Sequence, residues 1–537
     1  MTQDTPSFFT LDHGTVSTSA ALIAPVDGRY RLLASASAPH GIDSEVILGD
    51  LAWRVARTDA SVAGPMDDWR DWSRLEVHSW RAPRACLIAA SARTGELLER
   101  AFSGAGWQIV ARFNEPRPDT IALGEACLGP GLDAVVVGGR EDAEEEERDH
   151  VRLLWPLAGS LARMRDDLAV VACGPFVERP EGIADERLFS LPSPEAVAAT
   201  SESTLRQAAG QVGAHLSGAD PATTGARAGL RTSIASLAVL LDNRVEGIEI
   251  AAAAGSRTLA SPEQEIRHAV IAEGAYLPSS ILDDEAVAES IVRWSTIKGD
   301  PVAQFDGLRE LRLHPWSAID REGVRLRLAA LHAALERMQN AWEAAHVDGR
   351  ADDDAPGVTV LSGGAFCAVP SAAVALALVN SVRRPGAATI LHDHARVLAP
   401  LGALPVEGDR RRLLADLMDD SLLPVGSAVL TGSLGVRGQG GGNMAISTPL
   451  GADELRLQPD RLRLVDLPPG IVARLEIDPE DGVILGVEGQ RLTLEVSGGL
   501  GGLLVDTRDI PLKLPSTDEQ RRKLLEEWEE SVLGSDR

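Results

Sequence analysis

Aromatic residues are scarce in this 537-residue chain, which has 4% of them and only two tyrosines. A core must therefore be built mainly from Ala, Leu, Val and Gly. Cysteine is also rare, and the four cysteines, at positions 86, 127, 173 and 367, are far apart and form no CxxC pair. This spacing argues against a structural zinc site or a disulfide framework and favours buried thiols.

Positive charge is in deficit as well. The chain has 52 Lys and Arg against 79 Asp and Glu, a formal net charge of -27. Nucleic acids and anionic membranes are bound through clustered Lys and Arg, so neither is expected as the main partner. The first residues lack the pattern of a signal peptide, and the longest uncharged stretch, residues 365–382, is interrupted by Pro370. We therefore expect a cytoplasmic protein.

The length predicts several domains, because a single core rarely grows beyond roughly 300 residues. Three strands near Phe8, Thr18 and Tyr30 open the chain, and helices then alternate with buried strands. That alternation is typical of an α/β domain with a parallel sheet, which we predict over residues 1–228. A second α/β domain is predicted over residues 229–404.

The pattern changes after Leu404. A short helix is predicted from Asp409 to Met418, and beyond Val425 apolar and polar side chains alternate between frequent turns. Residues 405–515 are therefore predicted to form a C-terminal β-rich module. Residues 516–537 predict a terminal helix in which Ser516 is the cap and Glu519 completes a capping box. No internal sequence repeat is evident.

The first candidate site is the segment 12–18, DHGTVST. Gly14 permits a tight turn, while backbone N–H groups and the hydroxyls of Thr15 and Thr18 can cradle phosphates. Asp12 can hold Mg²⁺ through water. A plain β-hairpin explains the same residues, and spacing alone leaves both interpretations open.

Two glycine pairs provide the next candidates. Gly363-Gly364 follows an apolar strand, where the backbone can approach a flat ligand such as adenosine or simply pack closely at a turn. Gly138-Gly139 ends another buried strand. The acidic run 141–147 after it is best interpreted as a solvated helix start rather than a metal site.

His392 and His394 flank Asp393 and would share one face of a strand. A third metal ligand at a suitable spacing is missing, so this group is a minor candidate for a metal site. The sequence has no nucleophile elbow, HExxH or Walker A motif.

These segments, in this order, resemble the glutamate mutase L (MutL) family of the actin, heat-shock chaperone and sugar kinase superfamily. The resemblance extends from Phe8 to Leu404 and depends on LDHGTVSTSAAL (11–22), CLIAASARTGELLERAFSGAGWQIV (86–110), LDAVVVGG (132–139), LAVVACG (168–174), VTVLSGGAFCAVPSAA (358–373) and ILHDHARVLAPLGAL (390–404). It implies two actin-like domains around a nucleotide cleft. It also implies ATP and Mg²⁺ as cofactors and an adenosylcobalamin-dependent mutase as protein partner, with the family acting as an ATP-dependent chaperone or reactivating factor.

By this resemblance, Asp12, Gly14, Thr15 and Thr18 match the first phosphate loop of the family. Gly363 and Gly364 match its adenosine motif, Gly138 and Gly139 match a further glycine turn, and Asp393 matches an Asp of its closing segment. Asp12 is the implied magnesium ligand.

The chain departs from the family at several positions. Ser19 stands where the family usually has Lys, and the GGTDGG-like turn of the family is GGREDA here, at 138–143. The second phosphate loop, DIGGATTD in the family, corresponds to residues 249–256, EIAAAAGS, so that Glu249, Ala251 and Ala252 replace Asp and two glycines. A Cβ at those positions hinders close approach of phosphate. In a shifted alignment, Gly255-Ser256 would serve instead.

Two functions are therefore weighed. One is an ATP-binding, chaperone-like factor with weak ATPase activity at most. The other is a degenerate pseudo-ATPase that acts as an actin-like scaffold or filament subunit and binds a protein partner through its β module. A sugar or acetate kinase is disfavoured, because no candidate catalytic base follows the second loop.

Overall fold

In the computed structural model, the described residues are 7–58, 66–115, 119–129, 131–140, 143–174, 183–194, 199–220, 224–252, 254–263, 265–272, 274, 281–314, 320–345, 356–382, 384–433, 442–479, 483–485, 487–488, 491–508, 510 and 512–534. They form five β-sheets with helices around them. Within these ranges, no helix combines the length and the apolar character that crossing a membrane would need.

The chain begins with an antiparallel meander that a fourth strand joins in parallel. The strand order is β3-β2-β1-β4, with the bounds β1 (Phe8–His13), β2 (Ser17–Val26), β3 (Arg29–Pro39) and β4 (Ser73–His78). Alternate residues of a strand share a face, and Phe9 and Leu11 pack on Leu48 and Leu51 of helix α1 (Ser44–Thr58). The three strands predicted at the start of the chain are confirmed.

A parallel five-stranded sheet follows. Its order is β6-β5-β7-β8-β9, with β5 (Arg84–Ala89), β6 (Gln108–Phe113), β7 (Ala134–Gly138), β8 (Ala169–Cys173) and β9 (Leu188–Leu191). Apolar layers cover both faces, formed with α2 (Ala92–Gly104), α3 (Thr120–Leu128), α4 (Glu145–Met164) and α5 (Ala199–Leu216). The prediction of buried thiols is confirmed for Cys86, Cys127 and Cys173, whereas Cys367 is exposed; all four are free.

The second half of the chain repeats the topology of the first sheet. Its strands run in the order β12-β11-β10-β13-β14, with β10 (Val245–Ile250), β11 (Gly255–Ala260), β12 (Ile266–Ile271), β13 (Val358–Ser362) and β14 (Gly386–Asp393). The first three are antiparallel, and β13 and β14 are parallel to β10. Both halves thus contain a three-stranded meander, and in each half the first strand of the meander pairs in parallel with the strand that follows the meander along the chain.

Helices of the second half surround this sheet. They are α6 (Ala226–Leu241), α7 (Ile281–Arg293), α8 (Pro301–Leu313), α9 (Arg321–Ala345), α10 (Ser371–Ser381), α11 (Leu398–Gly402) and α12 (Glu407–Ser421). One apolar cluster joins Phe8 and Ala21 of the first sheet, Leu230 of α6, Leu398 of α11 and Val245 of the second sheet. Helices α6 and α11 therefore lie between the two sheets and fix their relative position.

The C-terminal strands extend the second sheet and also cover it. The extension consists of β15 (Leu422–Leu430), β24 (Leu503–Asp506) and β19 (Leu462–Val465), in that order after β14. A separate sheet of β18 (Gly451–Leu457), β17 (Gly442–Thr448), β20 (Val472–Pro479) and β23 (Leu492–Ser497) packs on it, and a small sheet comprises β16 (Gly432–Ser433), β21 (Val483–Leu485) and β22 (Val487–Glu488). Val429 and Val505 share a core with Met444 and Leu475, as in a β-sandwich.

The terminal helix α13 (Asp518–Leu533) packs on the main core through Leu525, Trp528 and Val532. The guanidinium of Arg508 lies 4.2 Å from the centroid of the Trp528 ring. The predicted cap is wrong by one residue, because Thr517 is the N-cap. With two actin-like α/β halves, C-terminal strands and this helix, the predicted fold class is confirmed.

Candidate functional site

The two meanders present hairpins of the same design. In the first, Asp12 pairs with Ser19, and the Gly14 N–H donates to the Ser17 carbonyl at 2.8 Å. In the second, Glu249 pairs with Ser256, and the Ala251 N–H donates to the Ala254 carbonyl at 2.9 Å. Each hairpin therefore has a four-residue loop that begins two residues after an acidic residue. This register gives Glu249 the same place in the second hairpin that Asp12 has in the first.

A cavity of about 600 Å³ lies where the two hairpins meet. The first hairpin contributes Gly14 to Ser17 and Ser19, the second contributes Ala251 and Ala252, and β3 contributes Ser37. The remaining lining residues come from α9 and from the chain around α10 and α11; they are Val324, Arg327, Gly364, Cys367, Ala368, Val369, Pro370, His394 and Arg396. The volume lies within the range of small-molecule sites, roughly 300–1,000 Å³.

The Gly363-Gly364 pair directly follows β13, and Gly364 of this pair lines the cavity. Gly363 has φ 98°, and a Cβ there would lie 2.4 Å from the Ile250 carbonyl oxygen. Only glycine meets both conditions without strain. A Cβ on Gly364, by contrast, would have no described atom within 4 Å. Gly363 is therefore needed for folding, and Gly364 leaves open space beside the cavity.

Asp12 is buried and forms an ion pair with Arg396, in which the Nη2 and Oδ2 atoms are 2.7 Å apart. Arg396 is itself buried and has φ 56°, a conformation that few non-glycine residues adopt. Its burial works against the charge, yet Asp12 and Glu249 raise the pKa of Arg396. The other carboxylate oxygen of Asp12, Oδ1, has no hydrogen-bond partner in the described part of the chain.

Asp393 holds the turn that leads into α11. Its carboxylate accepts hydrogen bonds from the N–H groups of Val397 at 3.0 Å and Leu398 at 3.2 Å. Burial raises the pKa of Asp393 to about 7, although those two N–H groups oppose the rise. Asp393 thus positions Arg396, which lies within the turn that it braces.

Glu249 occupies the place in the second hairpin that Asp12 has in the first, but its surroundings differ. Its Oε2 atom is 3.1 Å from the hydroxyl of Ser256, which donates to it. Burial is the largest cause that raises the pKa of Glu249, and Arg227 opposes it. Glu249 is not among the residues that line the cavity.

The structure brings only some of the sequence-predicted residues to the cavity. Gly14, Thr15 and Gly364 line it. Thr18 is buried within the hairpin, opposite His13. Gly138 and Gly139 are not among the lining residues, and a Cβ on Gly138 would lie 2.2 Å from Cδ1 of Leu98. That glycine therefore permits close packing of β7 against α2.

The two histidines beside Asp393 contact different partners. His392 Nε2 lies 3.8 Å from the Cys367 sulfur, and His394 Nδ1 lies 3.0 Å from the Ser421 carbonyl oxygen. Among the described residues, the group of side chains whose geometry could hold a metal ion includes neither histidine. Sequence reasoning missed Arg396 and Arg327 at the cavity. Arg396 stands within the quoted segment ILHDHARVLAPLGAL, whereas nothing in the helical pattern distinguishes Arg327.

No family model matches this chain, and the comparison with curated proteins gave no match. Similar solved structures include nucleotide-free acetone carboxylase, which is 9% identical with a TM-score of 0.27 over 84% of this chain and 81% of that chain. Component A of the (R)-2-hydroxyglutaryl-CoA dehydratase of Acidaminococcus fermentans is 10% identical, with a TM-score of 0.27 over 76% and 99%. The PilM–PilN complex of type IV pilus biogenesis is 12% identical, with a TM-score of 0.23 over 69% and 84%. The assignment to the actin-like fold rests on the repeated strand order and the paired hairpins of this chain.

Proposed function

We propose that this chain is an actin-like protein that binds ATP in the cavity between its two α/β halves. The observation that carries the proposal is the convergence of two matched hairpins on one cavity of about 600 Å³. Hairpin loops with free backbone N–H groups bind anions without needing bulky side chains. Two such loops facing each other suit a chain of phosphates.

The charge and polarity of the lining support an anionic ligand. Arg327 and Arg396 contribute positive charge, and Thr15, Ser17 and Ser37 contribute hydroxyl groups. Guanidinium groups match the geometry of phosphate oxygens. The phosphates would therefore lie against the first hairpin, with Thr15 and Ser17 as donors.

The adenosine would lie beside Gly364, where the structure has room for it. The lining there is mostly apolar, from Ala368, Val369 and Pro370. An apolar surface with open backbone next to it suits a flat base. This arrangement agrees with the family resemblance, in which Gly363 and Gly364 match the adenosine motif.

In the first hairpin, the Oδ1 atom of Asp12 could bind a magnesium ion. Asp12 Oδ1 is buried without a hydrogen-bond partner among the described residues, and Mg²⁺ prefers carboxylate oxygen, water and phosphate as ligands. Arg396 already neutralises part of the Asp12 charge. Asp12 would thus hold the ion with the help of nucleotide phosphates, and the ion would supply charge neutralisation.

Hydrolysis is proposed to be weak at most. A general base must lose its proton and reach the attacking water. Burial raises the pKa of Glu249, and this residue does not line the cavity. Ala251 and Ala252 place methyl groups where close approach to a phosphate needs bare backbone.

The resemblance to glutamate mutase L supports a finer proposal about partners. In it, the chain acts in the cytoplasm as a chaperone or reactivating factor for an adenosylcobalamin-dependent mutase, and nucleotide controls the closure of its two halves. The second loop favours an alternative function, because Ala251, Ala252 and Glu249 replace the residues that a phosphate would contact. In that alternative, the chain is a pseudo-ATPase scaffold that binds a protein partner through its C-terminal strands.

Thermal unfolding with and without millimolar Mg-ATP or Mg-ADP tests nucleotide binding. A ligand at about a hundredfold excess over its dissociation constant stabilises the folded state by roughly 2.7 kcal/mol. The test variant is Gly364→Leu, which fills the open space without a clash of its Cβ. We expect a rise in Tm with nucleotide in the parent protein and no rise in this variant.

Gly408→Leu is the matched control, because a Cβ there is also free of contacts but lies on helix α12, away from the cavity lining. Its response to nucleotide should equal that of the parent. No rise in Tm in any of the three proteins would overturn the nucleotide proposal. Saturable, magnesium-dependent hydrolysis that is lost in Asp12→Asn would overturn the pseudo-ATPase alternative.

A further inference from the structure

Three side chains with metal-binding atoms meet at one end of the first sheet. Strands β1 and β4 are parallel, and His13 is in register with His78 while Leu11 is in register with Glu76. Residues two apart on a strand share a face, so Glu76 and His78 point the same way as His13. The strand pairing itself brings two imidazoles and a carboxylate together.

The geometry within this group is close. The rings of His13 and His78 stack with their centroids 4.4 Å apart and an interplanar angle of 18°. His13 Nε2 lies 3.6 Å from Glu76 Oε2. One ligand atom of each residue lies within 4.8 Å of the others, and the three side chains range from half-buried to exposed.

One ring nitrogen of this group lacks a hydrogen bond. His13 Nε2 is buried and has no hydrogen-bond partner in the described part of the chain, since 3.6 Å is too long for such a bond. Two stacked imidazoles repel each other when both are protonated. Burial, followed by His13, lowers the pKa of His78, while Glu76, Asp12 and Asp220 act in the opposite direction. The neighbouring His13 imidazole, meanwhile, lowers the pKa of the Glu76 carboxyl.

We propose that His13, Glu76 and His78 bind a divalent first-row transition metal ion such as Zn²⁺ or Co²⁺. Neutral imidazole and carboxylate are the donor set that these ions favour, and two histidines with one glutamate recur in zinc sites that keep a position for water. The site stands on paired strands, which hold ligands more rigidly than loops do. Binding of the metal ion needs no nucleotide, so this proposal can be tested separately from the nucleotide proposal.

The proposed metal site lies next to the cavity along the chain. His13 is followed directly by Gly14, which lines the cavity, and the His13 carbonyl accepts a hydrogen bond from the Ser79 N–H at 2.8 Å. A metal ion that ties His13 to His78 would hold the end of β1 and the start of the first loop in place. The ion therefore acts as a clamp between β1 and β4 beside the cavity.

The test is isothermal titration of the EDTA-treated full chain with Zn²⁺ alone, followed by absorption spectra with Co²⁺ alone. We expect saturable binding at one site and the visible absorption of Co²⁺ in a low-symmetry site. Loss of a metal's outer-shell partner typically costs ~10- to 100-fold in affinity, so His78→Ala and Glu76→Gln should lose at least as much. Glu76→Gln keeps the size of a half-exposed side chain and should fold, as circular dichroism would verify.

His40→Ala is the matched control, because His40 lies near the same hairpin, with its N–H donating to the Val16 carbonyl, but outside the metal group. It should bind Zn²⁺ like the parent. Zinc binding that is equally strong in the parent, His78→Ala and Glu76→Gln proteins would overturn the proposal, as would the absence of saturable binding. Titration without nucleotide separates this result from the nucleotide test, so either proposal can fail alone.

Discussion

The two hairpins at the cavity share a backbone design and differ in chemistry. At matching positions the first has Asp12 and the second Glu249, and their loops begin at Gly14 and Ala251. Asp12 is paired with Arg396 beside the cavity, whereas Glu249 bonds to Ser256 within its own hairpin. The two hairpins therefore have the same backbone geometry, but, of the two, it is the first that contributes polar side chains to the cavity lining.

The largest expected difference between the hairpins is in the cost of removing each acid. Asp12→Ala leaves the buried guanidinium of Arg396 without its partner oxygen, and an uncompensated buried charge typically costs about 3–5 kcal/mol. Glu249→Gln should cost less than about 1 kcal/mol, because Gln keeps the size of Glu and a side-chain oxygen that can accept the hydrogen bond from Ser256. Urea unfolding followed by tryptophan fluorescence measures both.

A double variant provides the control for this comparison. Asp12→Ala combined with Arg396→Met removes both charges, and apolar replacement of a buried ion pair is often nearly neutral. It should recover much of the stability that Asp12→Ala loses. Equal costs for Asp12→Ala and Glu249→Gln would show that the two hairpins are electrostatically alike after all.

The second prediction concerns Asp393, which braces the turn that positions Arg396 beside Asp12. Its pKa is raised to about 7 by burial, from 3.8 for a solvated Asp, so the folded state favours its protonated form. The folded state then binds more protons than the unfolded state between about pH 4 and pH 7. The contribution of Asp393 to the free energy of unfolding therefore falls as pH rises through that window and stays constant above it.

Asp393→Asn should remove this fall. Relative to the variant, the parent should lose roughly 1.4 kcal/mol of unfolding free energy for each pKa unit crossed, measured by urea unfolding at several pH values. His332 and His392, whose pKa values burial lowers to about 4, are present in both proteins and cancel. Glu529→Gln is the control. Burial raises the pKa of Glu529, in helix α13, to about 7. This variant should therefore also change how the free energy of unfolding depends on pH, but it should leave nucleotide binding unchanged. An unchanged slope in Asp393→Asn would contradict the prediction.

Local sequence patterns were enough to predict most of the fold. Buried strands such as Ala134–Gly138 are short apolar runs, and helices such as Arg321–Ala345 repeat apolar residues at helical spacing. The first hairpin was predicted from residues 12–18 themselves. No sequence repeat revealed the two matched meanders, because equal strand order does not require equal side chains.

The missed features depend on contacts that are distant in sequence. Strand β4 was not predicted, since LEVH gives only four residues of alternation, and its importance comes from pairing with β1. Arg396 was passed over because its role depends on Asp12, far away in the chain. The addition of β15 and β24 to the second sheet was likewise invisible, because alternation shows that a strand exists and not which sheet it joins.

The third prediction exchanges the first residue of each loop. A Cβ on Gly14 would lie 2.7 Å from the Ser17 carbonyl oxygen, so Gly14→Ala must push backbone apart, at a cost of about 1–3 kcal/mol. Ala251→Gly adds only freedom to the unfolded chain and should cost about 0.4–1 kcal/mol. Urea unfolding of both variants gives the comparison. A cheaper Gly14→Ala would mean that the first loop tolerates a side chain as readily as the second.

The smallest effects should come from the serines opposite the two acids, and they separate stability from binding. Ser256 donates to Glu249 inside its hairpin, so Ser256→Ala should cost about 1 kcal/mol and leave nucleotide binding unchanged. Ser19 lines the cavity and lies 2.8 Å from the Ser37 hydroxyl, which remains solvated after substitution, so Ser19→Ala should cost less stability. Its effect should instead be a weaker rise in Tm with nucleotide. If Ser256→Ala weakens that rise as much as Ser19→Ala does, the second hairpin contributes to the ligand as fully as the first, and the chemical asymmetry between them does not extend to binding.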